Sequence, residues 1–81
     1  MERNKLFWAS RRGMLELDLI LQPFVDRVYP SLSPEDQARY VRLLTCEDQD
    51  LFGWLMQHHI PADGEIRRIV AIIRAAHEQQ S

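Results

Sequence analysis

Met14-Leu15-Glu16-Leu17-Asp18-Leu19-Ile20-Leu21-Gln22-Pro23-Phe24-Val25-Asp26-Arg27-Val28-Tyr29 is the most apolar run of this chain. Met14, Leu17, Leu21, Phe24, Val25 and Val28 recur at helical spacing, while Leu15, Leu19 and Ile20 widen the stripe until the helix is apolar almost all round. Such a helix belongs in the middle of a bundle. Proline gives no N–H to the carbonyl four residues back, so Pro23 predicts a kink or a split of this helix. Just before the run, Arg11-Arg12-Gly13 leads in from a basic N-terminal segment. Gly13 takes a positive φ at little steric cost and suits the end of one helix and the start of the next. Glu16 then falls in the first turn, where the helix dipole favours a carboxylate, and Arg12 lies four residues before it, within reach of an ion pair.

Outward from that run, turn signals divide the chain into about five helices. The first covers roughly Glu2 to Arg12, with Leu6, Phe7 and Trp8 as its apolar patch. Tyr29-Pro30-Ser31-Leu32-Ser33-Pro34 is turn material. Ser33-Pro34-Glu35-Asp36 reads as an N-cap, a proline at the first helical position and acids in the first turn. The third helix runs to about Leu44, with Ala38, Tyr40, Val41, Leu43 and Leu44 inward and Arg39 and Arg42 in water. Thr45-Cys46-Glu47-Asp48 is a second N-cap signal, opening a fourth helix to about His58 that carries Leu51, Phe52, Trp54, Leu55 and Met56. Gly53 costs it roughly 1 kcal/mol relative to alanine. Ile60-Pro61-Ala62-Asp63-Gly64 is the last break, with Asp63 as N-cap. From Glu65 to about Glu78, Ile66, Ile69, Val70, Ile73 and Ala76 form one apolar face. No segment alternates as a strand does. The expected fold is an all-α, compact single-domain bundle over residues 1–81, its second helix central and kinked near Pro23.

A chain of 81 residues is one domain, hiding about 60 to 65% of its unfolded surface. With 46% apolar and 27% charged residues it has the composition of a soluble globular protein. A net charge of −2 and a pI near 5.8 argue against nucleic acid or anionic lipid as the main partner, since both reward a basic footprint. Charge is uneven, however: Arg3, Lys5, Arg11 and Arg12 face only Glu2 among the first thirteen residues, a patch that attracts acidic surfaces or phosphate. The single cysteine, Cys46, forms no internal disulfide and fits a reducing compartment. No run approaches the ~20 apolar residues that cross a bilayer, and Leu6-Phe7-Trp8-Ala9 is too short for a secretory core, so cytoplasmic residence is expected. An extended Ser/Arg-rich presequence is also lacking, which favours a bacterial origin.

Catalytic signals are sparse. Cys46 sits at a helix start with no identifiable partner histidine, His58-His59 lack a third ligand at metal spacing, and His77 reads as solvent-facing. Gly13, Gly53 and Gly64 are scattered singly and make no phosphate loop. Glu47, Asp48 and Asp50 read as a solvated helix start. The residues point to a binding module and not to an enzyme.

Three ordered blocks suggest which module. Trp8-Ala9-Ser10-Arg11-Arg12-Gly13-Met14-Leu15-Glu16-Leu17-Asp18 resembles the Arg-Gly-x-x-Glu signature of the succinate dehydrogenase flavinylation (FAD assembly) factor family, small helical proteins of proteobacteria and mitochondria. Asp48-Gln49-Asp50-Leu51-Phe52-Gly53-Trp54-Leu55-Met56 is similar to its Asp-x-Asp-Leu-Phe-x-Trp-Leu-Met stretch, and Pro61-Ala62-Asp63 is similar too. Gly53 departs from it, many members carrying a polar residue there.

The resemblance implies a factor that promotes covalent attachment of FAD to a histidine of the flavoprotein subunit of succinate dehydrogenase, and in some bacteria of fumarate reductase. The bond-forming groups and the flavin would belong to the partner, the factor itself holding no cofactor tightly and being a monomer when free. Arg12, Gly13 and Glu16 are carried over as partner-binding residues, with Arg11, Trp8 and Asp18 as neighbours. Arg12 offers a planar, permanently charged fork, Gly13 lets a partner's backbone come close, and Glu16 either orients Arg12 or accepts from the partner. Trp8 reads equally as a core anchor, and Asp18 as a solvated helix position. The other functional reading is a regulatory interaction module of antitoxin or cell-division modulator type, in which the motif is only a helix junction. A nucleic-acid binder would need more than Arg67, Arg68 and Arg74, which Glu65 and Glu78 offset.

Overall fold

In the computed structural model, which describes residues 3–79, the long apolar run becomes helix α2, Leu15–Arg27. Leu17, Ile20, Leu21, Phe24 and Val25 are its buried positions, at i, i+3, i+4, i+7 and i+8. Before it comes α1, Arg3–Ala9; after it come a 3₁₀ turn, Tyr29–Ser31, and helices α3, Pro34–Leu43, α4, Asp48–Leu55, and α5, Gly64–Gln79. α2 packs against α1, α4 and α5, and α5 also packs against α3 and α4. The two longest helices thus form the centre, with Leu6, Tyr40, Leu43, Leu51 and Leu55 filling the core around them. Each such side chain contributes about 1.5–3 kcal/mol by leaving water.

Several local expectations change. Glu2, expected to begin the first helix, lies outside the described residues, and α1 ends at Ala9 instead of Arg12. The Ser10 N–H still reaches the Leu6 carbonyl at 3.0 Å, but the Arg11 N–H tightens onto Trp8 O at 3.1 Å and the chain then turns at Gly13; the Ser10 Oγ also donates to Leu6 O at 2.8 Å and meets the Tyr40 hydroxyl at 2.7 Å. α2 passes through Pro23 unbroken, so the chain is not split there. Nor is α2 buried all round: Leu15 and Leu19 are 67% and 62% exposed.

Ser33 caps α3 as expected, its Oγ accepting from the Asp36 N–H at 3.2 Å. Thr45 does not cap α4; its hydroxyl donates to the Arg42 carbonyl at 2.6 Å, closing the end of α3, and α4 starts only at Asp48. It also stops early, at Leu55, because Gln57 adopts a left-handed φ of 64°. The His58 N–H then reaches Gly53 O at 2.8 Å and the Gln57 N–H reaches Trp54 O at 3.2 Å, a Schellman closure with glutamine where glycine is usual. His58 and His59 therefore lie beyond the helix. Gly53 is buried because the His59 ring covers it: a Cβ there would stand 2.1 Å from the ring's Cε1.

Asp63 caps α5, its Oδ1 accepting from the Glu65 N–H at 2.8 Å. Asp36 does more than open α3. Buried against α5, it accepts from Arg68 Nε at 2.9 Å, Arg68 Nη2 at 3.1 Å and Arg39 Nη1 at 2.8 Å. Arg39 also pairs with Glu65, and Arg42 with Asp63. Arg39 is thus half-buried in a clamp, while Ala38, expected inward, is exposed. Hydrogen bonding from Arg68 first, opposed by desolvation and helped by Arg39, holds the Asp36 carboxyl below its ordinary value. The clamp is complete above the usual carboxylate range and is lost as acid carries the pH down through that lowered value.

Candidate functional site

The junction between α1 and α2 is built around Arg12. Its backbone N–H donates to Asp18 Oδ1 at 2.8 Å, so the first-turn carboxylate that reaches back is Asp18 and not Glu16. Its side chain turns inward and is only 16% exposed. Nε donates to Asp48 Oδ1 at 2.8 Å, Nη1 to the carbonyls of Ala9 at 3.1 Å and Leu44 at 2.9 Å, and Nη2 to the Cys46 carbonyl at 2.8 Å. One guanidinium thereby closes the C-terminal ends of α1 and α3, where helix dipoles favour a cation, and holds the α3–α4 turn and the first residue of α4. The ion pair expected with Glu16 is replaced by this one with Asp48.

With Arg12 committed inward, the outward surface falls to its neighbours. Gly13 has φ +81°, a conformation that strains other residues, and a Cβ built on it would meet no heavy atom within 4 Å. The backbone at Gly13 is thus open to approach. Glu16 is exposed and makes no hydrogen bond or ion pair among the described residues, leaving a hydrated, acceptor-only carboxylate. Trp8 is no core anchor: it is 63% exposed, meets Phe7 edge-on at 5.7 Å between centroids, and carries the Arg11 guanidinium 5.8 Å above its ring. Leu15 and Leu19, four residues apart on α2, add two exposed aliphatic side chains.

Beneath this surface Ser10 and Tyr40 are fully buried, and burial pushes the Tyr40 hydroxyl up to about 12 against the opposing pull of Ser10 and Arg12. Cys46 is half-buried against the core and contributes its carbonyl to Arg12. Among the described residues no three His, Cys, Asp or Glu side chains gather as metal ligands, and no helix is long and apolar enough to cross a membrane. The junction offers an aromatic–cation pair, an open backbone, two aliphatic side chains and one carboxylate, which are the means of docking on another surface.

Of the six residues singled out, the structure brings Arg12, Gly13 and Asp18 into one hydrogen-bonded turn and leaves Trp8, Arg11 and Glu16 on its exterior. Sequence reasoning missed Asp48 as the partner of Arg12, because 36 residues separate them and no local spacing links them. It also took Leu15 and Leu19 for core. Their excess over the five positions a half-buried helix needs was the available signal.

Fold and junction place the chain among small all-α bundles whose exposed feature is a tight turn between two helices. Within that class it belongs to the Sdh5 family, described as the flavinator of succinate dehydrogenase, whose family model matches residues 4–77. It is 60% identical over 72 residues to the FAD assembly factor SdhE of Pseudomonas aeruginosa, covering 89% of this chain and 86% of that one. It is 55% identical to the protein of the same name from Shewanella oneidensis over 74 residues, 91% of this chain and 90% of that one. With that of Pectobacterium atrosepticum it shares 41% over 78 residues, 96% and 89% of the two chains.

Proposed function

We propose that this chain is an FAD assembly factor: it binds the flavoprotein subunit of succinate dehydrogenase and promotes covalent attachment of FAD to that subunit. Family membership and the shared name of its bacterial relatives support the reading. The observation that carries it to particular residues is the open Gly13 turn, with Glu16 unpaired beside it and Trp8, Leu15 and Leu19 exposed around it. Trp8, Arg11, Gly13 and Glu16 touch the partner, while Arg12 and Asp18 hold the turn in shape.

The factor acts as a chaperone and not as an enzyme. It holds the flavoprotein so that the accepting histidine and the flavin methyl are aligned and water is kept out, with no FAD bound tightly of its own. Alignment alone is enough, since each ~1.4 kcal/mol of barrier removed is tenfold in rate and positioning supplies several. The factor works in the bacterial cytoplasm as a monomer until it meets its partner, and fumarate reductase, with the same kind of flavoprotein subunit, is a second client.

Covalent-flavin fluorescence of the denatured flavoprotein subunit tests this, with the subunit produced alone, with this chain, and with Gly13→Arg or Glu16→Ala. Fluorescence rises with the natural chain and falls with either variant while circular dichroism shows both still helical. Equal fluorescence in all four samples, where attachment is incomplete, overturns the reading.

A further inference from the structure

Away from the junction, α5 and the segment following α4 enclose a groove. Two cavities of about 250 and 340 Å³ share Gln57 and Arg74 in their linings, so they run together along α5. Trp54, Ile60, Pro61 and Val70 form the apolar wall and floor of the larger, and Ile60 is 77% exposed. The wall is fixed in place. His59 lies over Gly53 and meets Trp54 edge-on at 6.2 Å, and the left-handed Gln57 turns the chain where the two cavities join. A non-glycine residue held in that conformation marks a segment whose shape the rest of the fold dictates.

On a chain of net charge −2, the charged side chains lining the larger cavity are both cationic, Arg67 and Arg74, while Glu78 lines the smaller. Arg12, Arg39, Arg42 and Arg68 each hold a carboxylate. Arg67, by contrast, has no carboxylate partner among the described residues and donates only to the Pro61 and Ala62 carbonyls, at 3.2–3.4 Å. Arg74 holds Glu78 in a longer ion pair one turn on, at 3.6 Å, with the Glu78 side chain largely in water. Arg67 and Arg74 stand seven residues apart on α5, about 10 Å along the helix axis. Two arginines are too few to track a phosphate backbone. Flanking an apolar floor, they suit a protein segment with carboxylates two turns apart.

We infer that this groove is a second docking surface, separate from the junction, for an acidic amphipathic segment of a protein partner. Its apolar side chains lie against Trp54, Ile60 and Val70, and its carboxylates meet Arg67 and Arg74. Association through such a rim is salt-sensitive.

The test is an NMR titration of the full labelled chain with a blocked helical peptide of about fifteen residues, carrying Glu at i and i+7 and Leu at i+3 and i+4. A companion peptide has Lys for Glu. The Trp54 indole, Ile60 and Val70 signals shift saturably with the acidic peptide only, added salt weakens the binding, and Arg67→Glu with Arg74→Glu weakens it by about tenfold or more. Ile60→Asp, at an exposed position, weakens it independently. Equal binding of the Lys peptide, shifts centred on Trp8, Leu15 and Leu19, or no saturable shift overturns the proposal.

Discussion

Replacing Arg12 by alanine removes hydrogen bonds to Ala9, Leu44, Cys46 and Asp48 at once and leaves three carbonyls and a carboxylate without their common donor. Hydrogen bonds to charged groups are each worth about 1.5–3 kcal/mol when buried, but these four share one edge that water reaches after truncation, so they do not add. A loss of about 2–4 kcal/mol follows, set against a total stability of roughly 4–12 kcal/mol for a chain of this length. The midpoint of thermal unfolding falls by about 10–30 °C. Arg12→Lys recovers less than half, because one ammonium cannot span four acceptors divided between Ala9 and the Leu44-to-Asp48 stretch. Glu16→Ala, which removes an unpartnered carboxylate, stays within about 0.5 kcal/mol of the natural chain. Urea titrations followed by circular dichroism measure all three. Arg12→Ala as stable as the natural chain, or Glu16→Ala equally damaging, refutes the reasoning. In a flavin-attachment assay, Arg12 variants lose function in step with their unfolded fraction and regain it on mild cooling, whereas Glu16 variants lose it while fully folded.

Two further outcomes are expected. The Tyr40 hydroxyl ionises at 10.0 when unfolded and at about 12 when folded, so the folded state holds that proton more tightly and the contribution is complete below pH 10. It drains away as the pH rises through this window, about 3 kcal/mol in all, and alkaline titrations of Tyr40→Phe should lack that limb; identical curves for variant and natural chain would contradict it. Gln57→Gly relieves the left-handed strain at the end of α4 and raises stability by about 1 kcal/mol in urea titrations, with a fall in stability as the contrary result.

Helix existence was legible because two kinds of signal repeat locally. The serine, proline and acids at Ser33 to Asp36 announced α3, and the i, i+3, i+4, i+7 spacing of Ile66, Ile69, Val70 and Ile73 announced α5. Ends were harder. Thr45 looked like a cap for the following helix and instead closes the preceding one, a choice decided by which carbonyl lies near in space. Gln57 ends α4 in a conformation its residue type does not advertise. At the junction the motif residues were legible but their division of labour was not. That Arg12 points inward depends on Asp48 and on two carbonyls from the α3–α4 turn, which only tertiary packing brings beside it. Leu15 and Leu19 read as core because an exposed aliphatic side chain has the same hydropathy as a buried one, and only the packing around α2 leaves them outside.

The way the turn is tethered limits how it can be imitated. A seven-residue α1 has no stability of its own, and it is moored by Ser10 to Tyr40 and by Arg12 to segments more than thirty residues away. A synthetic fragment spanning Phe7 to Leu19 would contain every outward-facing group of the turn but neither Tyr40 nor the Leu44, Cys46 and Asp48 acceptors that moor it. It would be a poor competitor unless a covalent brace replaced them. The same dependence makes the junction a reporter of assembly: the turn is braced only once α3 and α4 are in place, so a half-folded chain does not present its surface.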